Sequence, residues 1–146
     1  MSHRALLRVR FADIDHGGVM YYPKILHYFH QALEDWYADV VGLPIPKMIN
    51  VDRVGMPTVS CQVDYRRPFR FGDTMEVEIR VVRLGSGSVT YQFVGRHAGD
   101  ERPSCQAEIM AACIDMDRFA ARPFPEALKA ALESRLEPPL PRLGRG

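Results

Sequence analysis

The stretch RFADIDHGGVMYYP, residues 10–23, places two carboxylates beside a pair of glycines. Asp13 and Asp15 stand two residues apart, and Gly17 and Gly18 follow after one histidine. A carboxylate can act as a base or a nucleophile, and backbone N–H groups at the start of a helix can stabilise a developing oxyanion. The stretch could therefore support acyl transfer, and a solvated turn is the alternative.

Helix capping is the simplest explanation for Asp15, because aspartate is a preferred N-cap residue. The predicted helix, however, begins near Tyr22 or Pro23, seven or eight residues later, and capping does not require that distance. Gly17 and Gly18 allow a tight turn and leave their N–H groups open to another molecule. The spacing favours a ligand site, with the tyrosine rings at the helix start expected mainly in the core.

A long amphipathic helix is predicted from Lys24 onward. Pro23 suits its first turn and Gly42 suits the position just past its end, which predicts about five turns. Residues 43–55 show no clear period and are predicted to form a connection. The apolar residues that recur at intervals of three and four are Ile25, Phe29, Ala32, Leu33, Trp36 and Val40.

Five strands are predicted from alternating apolar residues. The first precedes the helix, with Ala5, Leu7, Val9 and Phe11 on its inner face. Short links between the other four predict an antiparallel meander, whose last strand is apolar on both faces and central. These four strands are predicted at residues 58–65, 74–81, 89–93 and 105–116.

These elements predict the α+β class. A five-turn helix with a wide apolar face requires a large cover, and a five-stranded antiparallel sheet wrapped around it is the economical arrangement, known as the hotdog fold. We expect one domain over residues 1–146, with a short C-terminal helix and a frayed proline-rich tail at about 137–146. Because the sheet has open edges, we expect two copies to pair through an edge strand.

Composition excludes several classes of function. A net charge of +1 provides no field that would attract nucleic acid or lipid, and no apolar run approaches the roughly 20 residues that span a bilayer. The N-terminus lacks the apolar stretch of a signal peptide, so we expect a cytoplasmic location. Cys61, Cys105 and Cys113 lack metal-site spacing and are expected to be buried free thiols. We expect no metal; ligation by His27 and His30 is the alternative.

The segment DIDHGGVMYYP resembles the signature of the 4-hydroxybenzoyl-CoA thioesterase family of hotdog acyl-CoA hydrolases. GMPTVSC, residues 55–61, is similar to the start of that family's second strand, and the order of elements agrees from Arg4 to about Leu136. The resemblance implies hydrolysis of an acyl-CoA by a homo-oligomer, a dimer or a dimer of dimers (a homotetramer), with sites at subunit interfaces. It implies no cofactor, because coenzyme A is part of the substrate.

Carried over by position, Asp15 matches the family's catalytic aspartate and Asp13 the non-catalytic one, interpreted as a turn former. The backbone N–H of Tyr22 matches the donor that polarises the thioester carbonyl. The turn LGSGS, residues 84–88, lacks the basic cluster that holds the nucleotide in the aryl-specific branch, so the phosphates would be held elsewhere, by Arg66, Arg67, Arg70 or Arg83. The substrate-binding residues that we infer are Gly17, Gly18, Val19, His30, Thr58, Val59, Ser60 and Ser88.

The sequence does not identify the acyl group of the substrate. We favour an aryl group such as benzoyl or 4-hydroxybenzoyl over short or medium chains. Two other functions would suit the same fold. One is an enoyl-thioester hydratase or dehydratase with His16 or His30 as an acid–base residue, and the other is a non-catalytic module that binds acyl-CoA.

Overall fold

A computed structural model describes residues 3–144 of the chain. Strand β1, Arg4–Arg8, is followed by a 3₁₀ turn at Phe11–Asp13. The predicted first strand is therefore too long, and Phe11 lies outside the core with 77% of its surface exposed. The strand ends early because the backbone N–H of Arg10 donates to the hydroxyl of Tyr28, at 2.9 Å, instead of to a neighbouring strand.

Helix α1, Lys24–Trp36, continues into a wider π-helical turn at Tyr37–Val41. Gly42 ends it in the left-handed conformation, with φ of 80°, as its position after the last apolar residue predicts. The inner face of the helix is buried, and the ring of Phe29 stacks on Phe93 at 5.2 Å between centroids. Truncating such a fully buried ring to alanine typically costs about 3–5 kcal/mol.

Four more strands join β1 in the main sheet: β3 (Thr58–Tyr65), β4 (Thr74–Leu84), β5 (Ser88–His97) and β6 (Pro103–Ala112). The five strands are antiparallel and lie in the order β1-β4-β5-β6-β3. The predicted four-strand meander is correct for β4 to β6 only. Strand β3 instead pairs with β6 at the far edge of the sheet. Residues 66–73 then cross the end of the sheet from β3 to β4.

The connection predicted at residues 43–55 contains helix α2, Ile45–Asn50, and strand β2, Val54–Gly55. A helix of six residues, with Pro44 as its N-cap and Pro46 as its second residue, is too short to show a helical period, so sequence reasoning missed α2. The predicted last strand is also divided, since β6 ends at Ala112. Strand β7, Ile114–Asp115, then pairs with β2 and with β8, Ala120–Ala121.

Helix α3, Glu126–Glu133, is followed by a tail that crosses the outer face of the sheet. The backbone N–H of Leu140 donates to Gln92 Oε1 at 2.7 Å, and that of Leu143 donates to Gln106 Oε1 at 2.9 Å. Arg142 forms an ion pair with Asp64 at 2.8 Å. As far as residue 144 the tail thus lies against the sheet, where we expected a frayed end; residues 145 and 146 lie outside the described range.

The three cysteines differ in their surroundings. Cys105 and Cys113 are buried, as expected, but Cys61 is exposed. The expectation for Cys61 was wrong because β3 is an edge strand, which leaves its side chains uncovered on one flank. Within residues 3–144, no helix is both long enough and apolar enough to cross a bilayer.

Candidate active site

A tight loop between β1 and α1 holds the carboxylate of Asp15. The backbone N–H of Gly17 donates to Asp15 Oδ1 at 2.7 Å, and that of Asp15 donates to the carbonyl of Val19 at 2.9 Å. Gly18 adopts a φ of 79°, which glycine reaches without strain. The loop thereby fixes one carboxylate oxygen and leaves Oδ2 without a partner among the described residues.

The two aspartates of the motif have different surroundings. Asp13 Oδ2 accepts a hydrogen bond of 2.6 Å from the hydroxyl of Tyr28, and Lys24 Nζ lies 3.8 Å from Oδ1. The carbonyl of Asp13 also accepts the N–H of Tyr21 at 2.8 Å. The side chain of Asp13 therefore joins the loop to α1.

The backbone N–H of Tyr22, the predicted donor, lies just before α1. Neither the backbone nor a side chain within residues 3–144 accepts the N–H of Tyr22, while the N–H of Tyr21 is bonded to Asp13. Tyr22 precedes Pro23, the N-cap of α1, so its unpaired N–H lies near the positive end of the helix dipole. It can therefore stabilise negative charge on the oxygen of a bound carbonyl group.

Aromatic side chains surround this helix start. Tyr22 packs edge-on against Tyr21 and Tyr65, and the Tyr65 hydroxyl donates to the carbonyl of Tyr22 at 3.2 Å. Tyr21 and Tyr22 are both exposed, contrary to the expectation of core positions. Their exposure leaves the helix start open to a ligand or to a second subunit.

A cavity of about 440 Å³ lies farther along α1, between that helix, α2 and the sheet. Its wall is mainly apolar and continues the helix face that begins at Tyr22, since Leu26 and His30 follow at four-residue intervals. Its other lining residues are Leu33, Glu34, Tyr37, Ile45, Met48, Ile49, Val54, Met56, Thr58, Cys61, Tyr91, Phe93, Ile109 and Ala111.

Two polar groups border this cavity on α1. His30 Nε2 lies 3.9 Å from Glu34 Oε2, and both side chains are largely exposed. Cys61, on β3, also lines the cavity; although the residue is exposed, the cavity wall partly shields its thiol from water, which raises the pKa and disfavours a nucleophilic thiolate.

The predicted site residues fall into separate groups. The loop holds Asp15, Gly17, Gly18 and Val19, while His30 and Thr58 line the cavity. Val59 and Ser60 lie on the exposed edge strand, with Val59 56% exposed. Ser88 lies far from the loop. The loop is bonded to Phe69, just before β4, and the start of β4 pairs with the end of β5, whereas Ser88 is at the beginning of β5. The ten residues of β5 span about 30 Å.

Sequence reasoning missed most of the cavity wall. Tyr37 and Tyr91 are 54 positions apart, yet their hydroxyls are hydrogen-bonded to each other inside the molecule. No local pattern reports such a contact, although tyrosines on otherwise apolar faces are a signal that a partner hydroxyl or ligand exists. No group of three or more His, Cys, Asp or Glu residues within residues 3–144 is arranged to hold a metal ion.

The fold and the loop define a hotdog protein with a candidate acyl-transfer site, and comparison with known proteins agrees. The profile of the thioesterase-like superfamily matches residues 9–132. The chain belongs to that superfamily, and it is an enzyme, a thioester hydrolase. The expected resemblance is thus confirmed at the level of the superfamily, and a non-catalytic role is not supported.

The named relatives differ from the family member that we expected. A 1,4-dihydroxy-2-naphthoyl-CoA hydrolase from Synechococcus elongatus is 29% identical over 127 residues, which cover 86% of this chain and 90% of that protein. One from Thermosynechococcus vestitus is 27% identical over 129 residues, or 88% and 87% of the two chains. A 1,4-dihydroxy-2-naphthoyl-CoA thioesterase structure from Synechocystis shares the fold, with a TM-score of 0.82, 22% identity and coverage of 90% and 96%.

Proposed function

We propose that this enzyme hydrolyses aroyl-CoA thioesters to the free acid and coenzyme A, with no cofactor. The observation that carries the proposal is the Asp15 carboxylate, held by the N–H of Gly17 in the loop that leads directly to the unpaired N–H of Tyr22. In this mechanism the Tyr22 N–H binds the thioester carbonyl oxygen. Asp15 either attacks the carbonyl carbon or removes a proton from the attacking water.

Departure of coenzyme A requires little help. A thiol has a pKa near ~8.5, so its thiolate leaves readily at neutral pH without a dedicated acid. The mechanism therefore needs one carboxylate and one oxyanion donor, and we assign these roles to Asp15 and the N–H of Tyr22. We retain a cytoplasmic location, where coenzyme A thioesters are made, as a prediction.

The geometry of β3 supports a site shared by two subunits. At one end of this exposed edge strand, Tyr65 adjoins the start of α1; at the other, Thr58 and Cys61 line the cavity. Antiparallel pairing of β3 with the same strand of a second copy would bring these opposite ends together. Asp15 of one copy would then face the cavity of the other, and the two sheets would form one of ten strands.

An aryl acyl group suits the cavity. Its wall is formed largely by aliphatic and aromatic side chains, with the rings of Phe93 and Tyr91 along β5. Rings bury a large apolar area and lose little conformational freedom on binding. The relatives named above act on a naphthoyl thioester, and a bicyclic ring is the largest acyl group that we propose here.

Arg70 is the best candidate to bind the phosphates of coenzyme A. Among the four arginines considered, Arg66 donates to the carbonyl of Gly144, Arg67 is paired with Asp100, and Arg83 is paired with Glu108. The guanidinium of Arg70 has no such partner within residues 3–144. It also follows Phe69, whose carbonyl accepts the N–H of Met20 at 2.7 Å and so adjoins the Asp15 loop.

A panel of thioesters tests the proposed function. Benzoyl-, 4-hydroxybenzoyl-, 2-naphthoyl-, butyryl- and octanoyl-CoA would be supplied to the enzyme with a reagent that detects free thiols. We expect turnover of the aroyl thioesters to exceed that of the alkyl ones by at least about tenfold. Turnover of alkyl thioesters alone would refute the aryl assignment, and no turnover of any would refute the function.

An enoyl-thioester hydratase is the second candidate, because His30 and Glu34 place a base and an acid at the same cavity. Such an enzyme would remove the enoyl absorbance of crotonyl-CoA without releasing a thiol. We expect any fall in the enoyl-thioester absorbance to be matched by an equal release of free coenzyme A, whereas a fall without thiol release would show hydration. His30→Gln should then reduce turnover far less than Asp15→Asn.

A further inference from the structure

Two buried hydroxyl groups in the cavity wall are bonded to each other, and beyond that bond they have only a weak sulfur acceptor. Tyr37 and Tyr91 are 0% and 2% exposed, and their hydroxyl groups are hydrogen-bonded to each other. They meet beside Met56, whose sulfur lies 3.9 Å from the hydroxyl of Tyr37. All three residues line the cavity.

The tyrosine pair has one hydroxyl proton more than it has oxygen acceptors. Each tyrosine hydroxyl has one proton to donate, and the bond between Tyr37 and Tyr91 uses only one of the two. The second proton has no oxygen or nitrogen acceptor within residues 3–144. If it belongs to Tyr37, its only neighbour of this kind is the thioether of Met56, which is a weak acceptor.

Both hydroxyls stay protonated at neutral pH. Burial raises the pKa of Tyr37 and, together with the neighbouring hydroxyl of Tyr37, that of Tyr91. A buried O–H whose acceptor is a thioether is only weakly satisfied, so a cavity that only had to accommodate an apolar ring would be better lined with phenylalanine. The pair is therefore suited to a ligand that brings its own oxygen.

We propose that Tyr37 and Tyr91 are specificity residues that select acyl groups with an oxygen, either hydroxyl or carbonyl, at the end remote from the thioester. This inference rests on the proposed function, because it assigns the acyl group to this cavity. The spare O–H would donate to that oxygen. A ligand hydroxyl could in turn donate to the tyrosine oxygens, so the pair can bind either type of oxygen.

The test compares two thioesters that differ by one remote hydroxyl, 6-hydroxy-2-naphthoyl-CoA and 2-naphthoyl-CoA. For the wild-type enzyme we expect kcat/KM to favour the hydroxylated substrate by at least about tenfold. The informative variant carries both Tyr37→Phe and Tyr91→Phe. A single replacement leaves the other hydroxyl with a free proton, whereas the double replacement removes every donor.

In the double variant we expect the preference, measured as the ratio of kcat/KM for the two thioesters, to fall to about one. Replacing both partners of a buried hydrogen bond by apolar groups of the same shape is nearly neutral for stability, so this variant should fold. Circular dichroism and a thermal melt check that it does. Met56→Leu removes the weak acceptor, keeps the volume, and should retain the preference.

The outcomes separate this inference from the proposed function. Hydrolysis of 2-naphthoyl-CoA by the wild type supports the function whatever the selectivity. A folded double variant that keeps the preference, or a wild type that has none, refutes the role of the tyrosine pair. If neither thioester is hydrolysed, the function fails, and calorimetric binding of 6-hydroxy-2-naphthoate against 2-naphthoate decides the inference by the same comparison.

Discussion

The hydroxyl of Tyr28 donates to the carboxylate of Asp13 at 2.6 Å and accepts the backbone N–H of Arg10 at 2.9 Å. Tyr28 is buried on α1, so this single side chain connects the helix both to the end of β1 and to the loop that holds Asp15. Burial and the neighbouring carboxylate raise the pKa of Tyr28, which keeps the hydroxyl protonated and able to donate.

This contact predicts which of two substitutions destabilises the protein more. Tyr28→Phe leaves the carboxylate of Asp13 without its short hydrogen bond and should lower the free energy of unfolding by about 1.5–3 kcal/mol. Asp13→Asn keeps an acceptor oxygen and a good turn former, so it should cost about 1 kcal/mol or less. Urea denaturation of the two variants measures both values, and the opposite ranking would contradict the structural role given to Asp13.

Asp15→Asn is predicted to remove activity while leaving the fold intact. Asparagine keeps the oxygen that accepts the N–H of Gly17, but it can neither attack a carbonyl nor take a proton. A positioned general base contributes about 10²–10⁴-fold, or roughly 3–5 kcal/mol of barrier. Turnover should therefore fall by at least about 10²-fold, with coenzyme A affinity nearly unchanged.

The matched control for that experiment is Asp13→Asn, assayed with the same aroyl-CoA. If Asp13→Asn loses turnover while Asp15→Asn keeps it, the two assignments are reversed. If both variants keep it, the loop is not the catalytic site. A single turnover in ¹⁸O water shows whether Asp15 acts as a nucleophile, because label enters its carboxylate only when water attacks an acyl-carboxylate intermediate at the enzyme carbonyl.

Gly17 is predicted to matter for the position of Asp15 rather than for stability. A Cβ at this residue would lie 3.0 Å from Asp15 Oδ1, so Gly17→Ala must displace the carboxylate by a few tenths of an ångström. We expect kcat to fall by roughly tenfold, since small displacements of reacting groups are costly. Gly18→Ala is the contrasting variant, because its Cβ meets nothing but its φ of 79° is strained, at about 1–2 kcal/mol.

Local patterns predicted the elements better than their arrangement. The helix from Lys24 and its end at Gly42 follow from a period of three to four residues and one left-handed glycine, both of which are local signals. The position of β3 in the sheet does not follow from a local signal, because the apolar residues of β3 alternate in the same way whether it pairs with β6 or with β4. The exposure of Cys61 depends on that pairing and was missed for the same reason.

Part of the candidate site could also be predicted from local sequence, and part could not. Asp15, Gly17 and the start of α1 lie within ten residues of sequence, so their proximity could be inferred from spacing. The tyrosine pair in the cavity joins the π-helical turn after α1 to β5, and the contacts of the tail depend on Gln92 and Gln106 from neighbouring strands. Such contacts are decided by packing between elements, which a single sequence does not report.

A buried ion pair on the outer face of the sheet predicts a pH-dependent contribution to stability. Glu78, 1% exposed, accepts from Arg96 at 2.8 Å and from Arg80 at 2.7 Å. Burial alone would raise the pKa of Glu78, but the two arginines outweigh it and hold the pKa below its usual value. The stabilisation is therefore present above the ordinary glutamate pKa near ~4.3 and is lost as the pH falls through the lower folded value.

Glu78→Gln should lower the free energy of unfolding at pH 7 by about 3 kcal/mol, because it leaves Arg96 buried without a counter-ion. The difference from the wild type should shrink as the pH falls below about 4, where the wild type also loses its charge. Glu108→Gln is the control, since its pair with Arg83 is exposed and should change stability by less than about 1 kcal/mol. Equal and pH-independent losses in both variants would contradict the assignment.

Subunit mixing tests whether one site is built from two chains. Asp15→Asn should be inactive through its loop, and Ala111→Phe, at a buried position of the cavity wall, should be inactive because the ring fills the space for the acyl group. After denaturation and refolding of an equal mixture, half of the dimers are mixed, and each contains one site with a native Asp15 and an open cavity. The mixture should therefore regain about a quarter of wild-type turnover.

If Asp15 and the cavity of the same chain act together, every site contains one defect and the mixture remains inactive. Light scattering on the same samples establishes that dimers or tetramers are present, and a thermal melt of Ala111→Phe shows that its loss of turnover does not come from unfolding.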